Sequence, residues 1–188
     1  MAIGQRLRDA TGVRADERPV VGRIAAVFGL LEVGRALGDA GAGGLLINRQ
    51  PELLPGLLIP LGIVSMVVAI GFGAALSRVA RGRLLAGSLV GVGALLLLEW
   101  LALTAGVEAI ALVWLTVGAA GALAMTIGWT VAGSSLDARQ AKRLFPLCTS
   151  AAIAGYMAGS LGAGVVAGFL GAAALVAIEG LLFALAAV

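Results

Sequence analysis

Residues 53–76 read LLPGLLIPLGIVSMVVAIGFGAAL, without one Asp, Glu, Lys or Arg. A helix needs about 20 consecutive apolar residues to cross a hydrocarbon core roughly 30 Å thick, and this run is long enough. A surface helix of a soluble domain would interrupt its apolar stripe with polar residues every turn, and here there is no polar face. The rest of the chain agrees with this stretch. Of its 188 residues, 61% are hydrophobic and 12% charged, with a mean hydropathy of +1.08, whereas soluble domains carry roughly 25% charged side chains. The composition predicts an all-α, polytopic transmembrane helix bundle.

Hydropathy and charge divide the chain into six expected spans: Val20 to Ile47, Leu53 to Leu76, Leu84 to Ala105, Ile110 to Ser134, Phe145 to Leu170 and Ala172 to Val188. Residues 1–19 are polar and form an expected cytoplasmic segment, ahead of a membrane domain over 20–188. The first span is long and interrupted by charge, so it is expected to tilt, kink or be wrapped in protein. The segment before it lacks the form of a cleavable signal. The sixth span ends on Val188 with no polar flank, so the chain is expected to continue as the front part of something longer.

The 13 basic residues set an expected orientation. Arg6, Arg8, Arg14, Arg18 and Arg23 precede or open span one, Arg78, Arg81 and Arg83 lie between spans two and three, and Arg139, Lys142 and Arg143 lie between spans four and five. Only Arg49 falls on the opposite side, and Arg35 lies within span one. By the positive-inside rule the amino terminus and both basic loops are cytoplasmic, in a plasma membrane of bacterial inner-membrane type. The sequence pI near 10.0 then reflects topology and attraction to anionic lipid, and no nucleic-acid partner is expected.

Several chemistries are excluded. With no histidine, His-based triads and His-metal sites are unavailable. The single cysteine, Cys148, rules out an intrachain disulfide or thiolate cluster and reads as a small buried hydrophobe. The glycine-rich run from Gly162 to Gly168 lacks the preceding strand of a phosphate loop. No enzymatic activity, metal or cofactor is expected. Gly155 and Gly159, then Gly164 and Gly168, recur at a four-residue spacing that lets membrane helices approach closely, and Gly118, Gly121, Gly128 and Gly133 enrich span four.

Span one holds the candidate site. Glu32, Arg35 and Asp39 fall within roughly 60° of one another on a helix turning about 100° per residue. Ala25, Gly29, Ala36 and Gly43 share that side, and Val27, Leu30, Leu37 and Leu45 lie opposite. A charge at mid-membrane costs about 2.5–3.5 kcal/mol on insertion scales, so such residues face a bundle interior or a wet cavity. Two readings follow: an Arg35–Asp39 pair that only neutralises itself, or a pathway or substrate-facing role. Glu179 in span six is a further candidate, as a cavity group or a partner for residues elsewhere. Glu99 is expected to reach the interface from the outer end of span three.

Two stretches carry a resemblance. GAALSRVARGRLL, residues 73–85, resembles the loop between the second and third helices of the major facilitator superfamily through Gly73, Arg78, Arg81, Gly82, Arg83 and Leu84, with Ser77 at its acidic position and Ala80 where glycine is usual. Residues 137–147, with Asp137, Arg139, Ala141-Lys142-Arg143, Phe145 and Pro146-Leu147, resemble the ATP/ADP translocase family, nucleotide carriers with a facilitator-like fold. In span one Arg35 and Asp39 also fit that family, and Gly38 stands where it has a second arginine.

The resemblance implies the amino-terminal half of an alternating-access transporter, with an anionic metabolite or nucleotide as cargo. Its implied partners are membrane lipid, the cargo, and either a carboxy-terminal half or a second copy. It implies that Lys142 and Arg143 anchor the loop at inner headgroups and that Pro146 sits at a helix start. The alternative is a non-transporting membrane anchor or sensor domain fused to soluble modules.

Overall fold

The computed structural model describes residues 13–187, so Arg6, Arg8 and Val188 lie outside the described residues. All regular structure in them is helical: α1 (Arg18–Arg49), a single 3-10 turn (Pro51–Leu53), α2 (Leu54–Leu76), α3 (Arg81–Thr104), α4 (Ile110–Ser135), α5 (Ala138–Leu170) and α6 (Ala172–Ala186). Four helical stretches, Pro51–Leu76, Arg81–Thr104, Ile110–Ser135 and Ala138–Leu170, are long and apolar enough to cross a membrane, and α6 is a shorter apolar helix. The chain is therefore a helical bundle with membrane-compatible helices.

Short connections reverse the chain between successive helices. The start of α1 consequently meets the start of α5, and Leu31, Phe72, Leu89, Ile127 and Phe183 form one apolar cluster. A second cluster, Ala42, Leu96, Val113, Val117 and Val176, fills the other end. Helix α1 occupies the centre. It packs against α5, α6 and α4, whereas α3 packs on α6 and α2 on α4. At 32 residues α1 is about 48 Å long at 1.5 Å per residue. It begins with Pro19 in its first turn, where the missing N–H costs nothing. The outer helices carry the apolar exterior, with Ile59 73% exposed on α2 and Phe169 85% on α5.

The basic segment before span five is not a loop. Asp137 caps α5, its Oδ1 accepting from the Arg139 and Gln140 N–H groups at 2.8 Å, while the Gln140 side chain accepts from the Asp137 N–H at 3.0 Å. This reciprocal capping starts the helix at Ala138 and places Arg139, Lys142 and Arg143 in its first turns. Pro146 lies inside the helix instead of at its start. Likewise Gly73 belongs to α2, Arg81 and Arg83 to α3, and the turn between them is confined to residues 77–80.

The glycine spacing of α5 splits into two halves. A Cβ on Gly155 would lie 2.6 Å from the Gly29 carbonyl oxygen, and one on Gly159 would lie 2.6 Å from that of Val33 and 2.8 Å from the Ala36 Cβ. Backbone thus meets backbone between α5 and α1. Gly164 and Gly168 meet nothing within 4 Å, so they are not packing residues of this bundle. Beyond them Gly171, at φ 83° and ψ 158°, makes the sharp break into α6, a conformation essentially restricted to glycine.

Gly159→Leu is expected to lower the thermal transition and cut folded yield severalfold, because overpacking costs roughly 1–3 kcal/mol. Gly164→Leu should leave both unchanged. Thermal scans of the two purified variants beside wild type check this, and equal behaviour would refute the α1–α5 contact.

Candidate functional site

The three charged residues at the middle of α1 are held together by Arg35. Glu32 and Asp39 lie one turn to either side of Arg35, and the guanidinium closes on both: Nε and Nη2 reach Glu32 Oε2 at 2.9 and 2.8 Å, and Nη1 reaches Asp39 Oδ2 at 3.1 Å. Tyr156 of α5 completes the group. Its ring lies under the guanidinium, 4.3 Å from Cζ to centroid, and its hydroxyl donates to Asp39 Oδ2 at 3.4 Å. Gly121 of α4 makes room for the arginine stem, since a Cβ there would lie 2.8 Å from Arg35 Cδ.

The cluster is unequally covered. Glu32 is buried, but the Arg35 side chain is 27% exposed and that of Asp39 36%. A cavity of about 260 Å³ opens beside Glu32 and Arg35, lined also by Trp129, Thr149, Tyr156 and Met157. A smaller one of about 100 Å³ lies beside Asp39, against Leu61, Trp114 and Gly118. Along α1 the ion cluster therefore has a cavity on the Glu32 side and another on the Asp39 side. Trp129 is fixed between Phe28 and Phe145, with edge-to-face ring centroids 5.1 and 5.3 Å away, so the larger cavity has a stiff aromatic wall.

Two further carboxyls face inward. Glu99 does not reach the interface. It is 6% exposed and accepts a 2.7 Å hydrogen bond from Thr116 Oγ1 on α4, because α3 turns that face toward its neighbours. Glu179 is fully buried on α6 and touches α1 at Gly38. Glu179 thus lies within electrostatic reach of Asp39 and Arg35 of α1 and of Glu99 of α3, so ionisable groups from three helices converge there. Among the described residues no group of His, Cys, Asp and Glu has the arrangement of a metal site. Cys148 is buried beside Ile24 and Phe28, as a small hydrophobe.

The residues missed from sequence are Tyr156, Trp129 and Thr116. Tyr156 had a signal, being the chain's single tyrosine between two packing glycines at mid-helix. Trp129 and Thr116 had none, since tryptophan and threonine within an apolar helix ordinarily pack or bond to their own backbone. No known protein family, curated protein or solved structure matches this chain.

The basic residues at the other end of α5 do not all turn outward. Arg143 pairs through Nη2 with Glu17 Oε1, just ahead of α1, and Gln140 Nε2 donates to the same oxygen at 3.4 Å. The Arg14 N–H donates to Glu17 Oε2 at 2.9 Å. That backbone hydrogen bond, followed by the arginine, holds the Glu17 carboxyl below its usual range despite its burial. Arg143 is therefore a clamp between α1 and α5 and not solely a headgroup anchor.

A depressed carboxyl stabilises the fold above its ordinary value near 4.5 and loses that contribution as pH falls through the lower folded value. Wild type is expected to lose thermal stability on acidification below about 4.5, and Glu17→Gln should lose less. Thermal scans across acidic pH check this, and identical profiles would remove the clamp.

Proposed function

We propose that this chain is one lobe of an alternating-access carrier for an anionic solute, with the Glu32–Arg35–Asp39 face of α1 lining the solute path. One observation carries the reading: Arg35 and Asp39 lie mid-helix yet keep 27% and 36% of their side chains uncovered. Acyl chains cannot cover ionised groups without a penalty of several kcal/mol, so this face needs water or a second polar lobe over it. A cavity at each end of the cluster gives such a face somewhere to lead.

Arg35 is the cargo-binding group in this reading. Guanidinium offers a planar fork to phosphate or carboxylate and stacks on an aromatic ring at the same time. With Glu32 and Asp39 closed onto it, Arg35 is in its cargo-free arrangement, and an anion displaces Asp39, the more exposed partner with the longer contact. The sequence resemblances of residues 137–147 to ATP/ADP translocases and of residues 73–85 to the facilitator loop favour the same function. The basic-residue distribution favours a cytoplasmic amino terminus in an inner, plasma-type membrane, with the second lobe supplied by further chain or a second copy.

In protein reconstituted in liposomes, Arg35→Leu combined with Glu32→Gln and Asp39→Leu should keep the wild-type thermal transition, because removing the arginine together with both of its carboxylate partners leaves no unpaired charge behind. Uptake of radiolabelled ATP or inorganic phosphate should fall at least about tenfold, the value of a lost charged hydrogen bond. Arg35→Lys should be impaired as well. Normal uptake by the triple variant would remove the reading.

Orientation has a separate test. In a Cys148→Ala background, a cysteine at Gly82 should react with an impermeant thiol reagent only from the cytoplasmic side, and one at Glu52 only from outside. The reverse pattern would invert the topology.

A further inference from the structure

We propose that Glu179 is a proton-binding site of the bundle, holding a proton while α6 is packed on α1 and α3 and giving it up when α6 moves away. The inference stands whether or not the bundle carries a solute.

Glu179 has no exposed surface, and neither of its carboxyl oxygens has a hydrogen-bond partner. It is pressed onto α1 where Gly38 has no side chain, and even a methyl group there would collide with the carboxyl. One residue along, α6 crosses α3 through a second glycine contact. A Cβ on Gly93 would lie 2.5 Å from the Gly180 carbonyl oxygen, and one on Gly180 would lie 2.7 Å from that of Gly93. Backbone therefore closes on α6 at Glu179 from α1 and beside it from α3.

The surroundings offer no uncommitted counter-charge. From α1 the charged groups that act on Glu179 are Arg35 and Asp39, and from α3 it is Glu99. Arg35 is already committed to Glu32 and Asp39, while Asp39 and Glu99 are like charges. Helix α5 meets α6 through apolar Ala163, Val166 and Ala167, and α4 approaches through Val113 and Val117 beside Val176. A carboxylate in such a place lacks both donor and water, and taking up a proton is the cheaper state. The step is a simple transfer: hydronium gives its proton to the carboxylate as the site closes, forming one O–H bond and leaving water.

Proton binding and helix packing are therefore linked. The packed state binds one proton more than the separated state, in which Glu179 meets water, so packing weakens as pH rises. The packing equilibrium should shift by up to about tenfold per pH unit for one proton. This runs opposite to the acid-side loss from the Glu17–Arg143 clamp, so the two effects separate on the pH axis.

Infrared spectroscopy of the purified protein at neutral pH tests the site. Wild type should show the C=O stretch of a protonated carboxylic acid, shifted by deuterium exchange, and Glu179→Gln, which mimics the neutral acid in shape, should lose it in whole or in major part. No such band in wild type, or an undiminished one in Glu179→Gln, overturns the proposal. Should that variant not fold, Glu99→Gln, Glu32→Gln and Asp39→Asn decide by elimination: persistence in all three assigns the band to Glu179, and its loss in any one overturns the assignment. Thermal scans add the linkage. The wild-type transition should fall as pH rises above neutral and that of Glu179→Gln should fall less, whereas a flat wild-type profile overturns the coupling.

Discussion

The bundle depends on covering one charged helix. In a bilayer, α1 with Glu32, Arg35 and Asp39 at its middle is too polar to face lipid on all sides, and the other helices relieve much of that cost by burying Glu32 and covering most of Arg35 and Asp39. Helices α4, α5 and α6 all pack against α1, while α2 and α3 touch chiefly those covering helices. The arrangement follows from solvation. The helices with uninterrupted apolar surfaces take the exterior, and the helix least compatible with hydrocarbon takes the centre.

Covering α1 closely requires small residues. Lipid offers no hydrophobic drive between helices, so contact rests on van der Waals packing at short range, which glycine permits. Gly155 and Gly159 bring α5 onto the α1 backbone, Gly121 of α4 gives way to the Arg35 stem, and Gly93 and Gly180 join α3 to α6. The same close approach isolates the carboxyls. Gly38 admits Glu179 because it has no side chain of its own, and the α3–α4 contact lets Thr116 reach Glu99. Packing and interior chemistry are thus set by the same few glycines.

The ends of the helices are handled differently. Reciprocal capping by Asp137 and Gln140 extends α5 through its charged segment, and this extension carries Arg143 to Glu17 at the mouth of α1. At the far end of α5, Gly171 turns the chain so that α6 runs back between α1 and α3. A polar cap thus sets the start of α5, and a glycine break sets the start of α6.

What the sequence by itself determined is the class of molecule. Uninterrupted apolar runs such as 53–76 leave no polar face for water, and the helix count and most boundaries follow from where charge and proline interrupt them. The grouping of Glu32, Arg35 and Asp39 was equally legible, because residues three and four apart share one face of a helix whatever surrounds it. Only the tertiary structure decided which of these groups are satisfied. Tyr156 lies 117 positions from Asp39 in the chain, Glu99 turned inward to Thr116, and Glu179 landed against Gly38. Helical periodicity carries no information about which faces of separate helices meet. The four-residue glycine spacing is identical in both halves of α5, yet only Gly155 and Gly159 meet a neighbouring backbone, because spacing marks where a helix can approach and only the partner's position decides where it does.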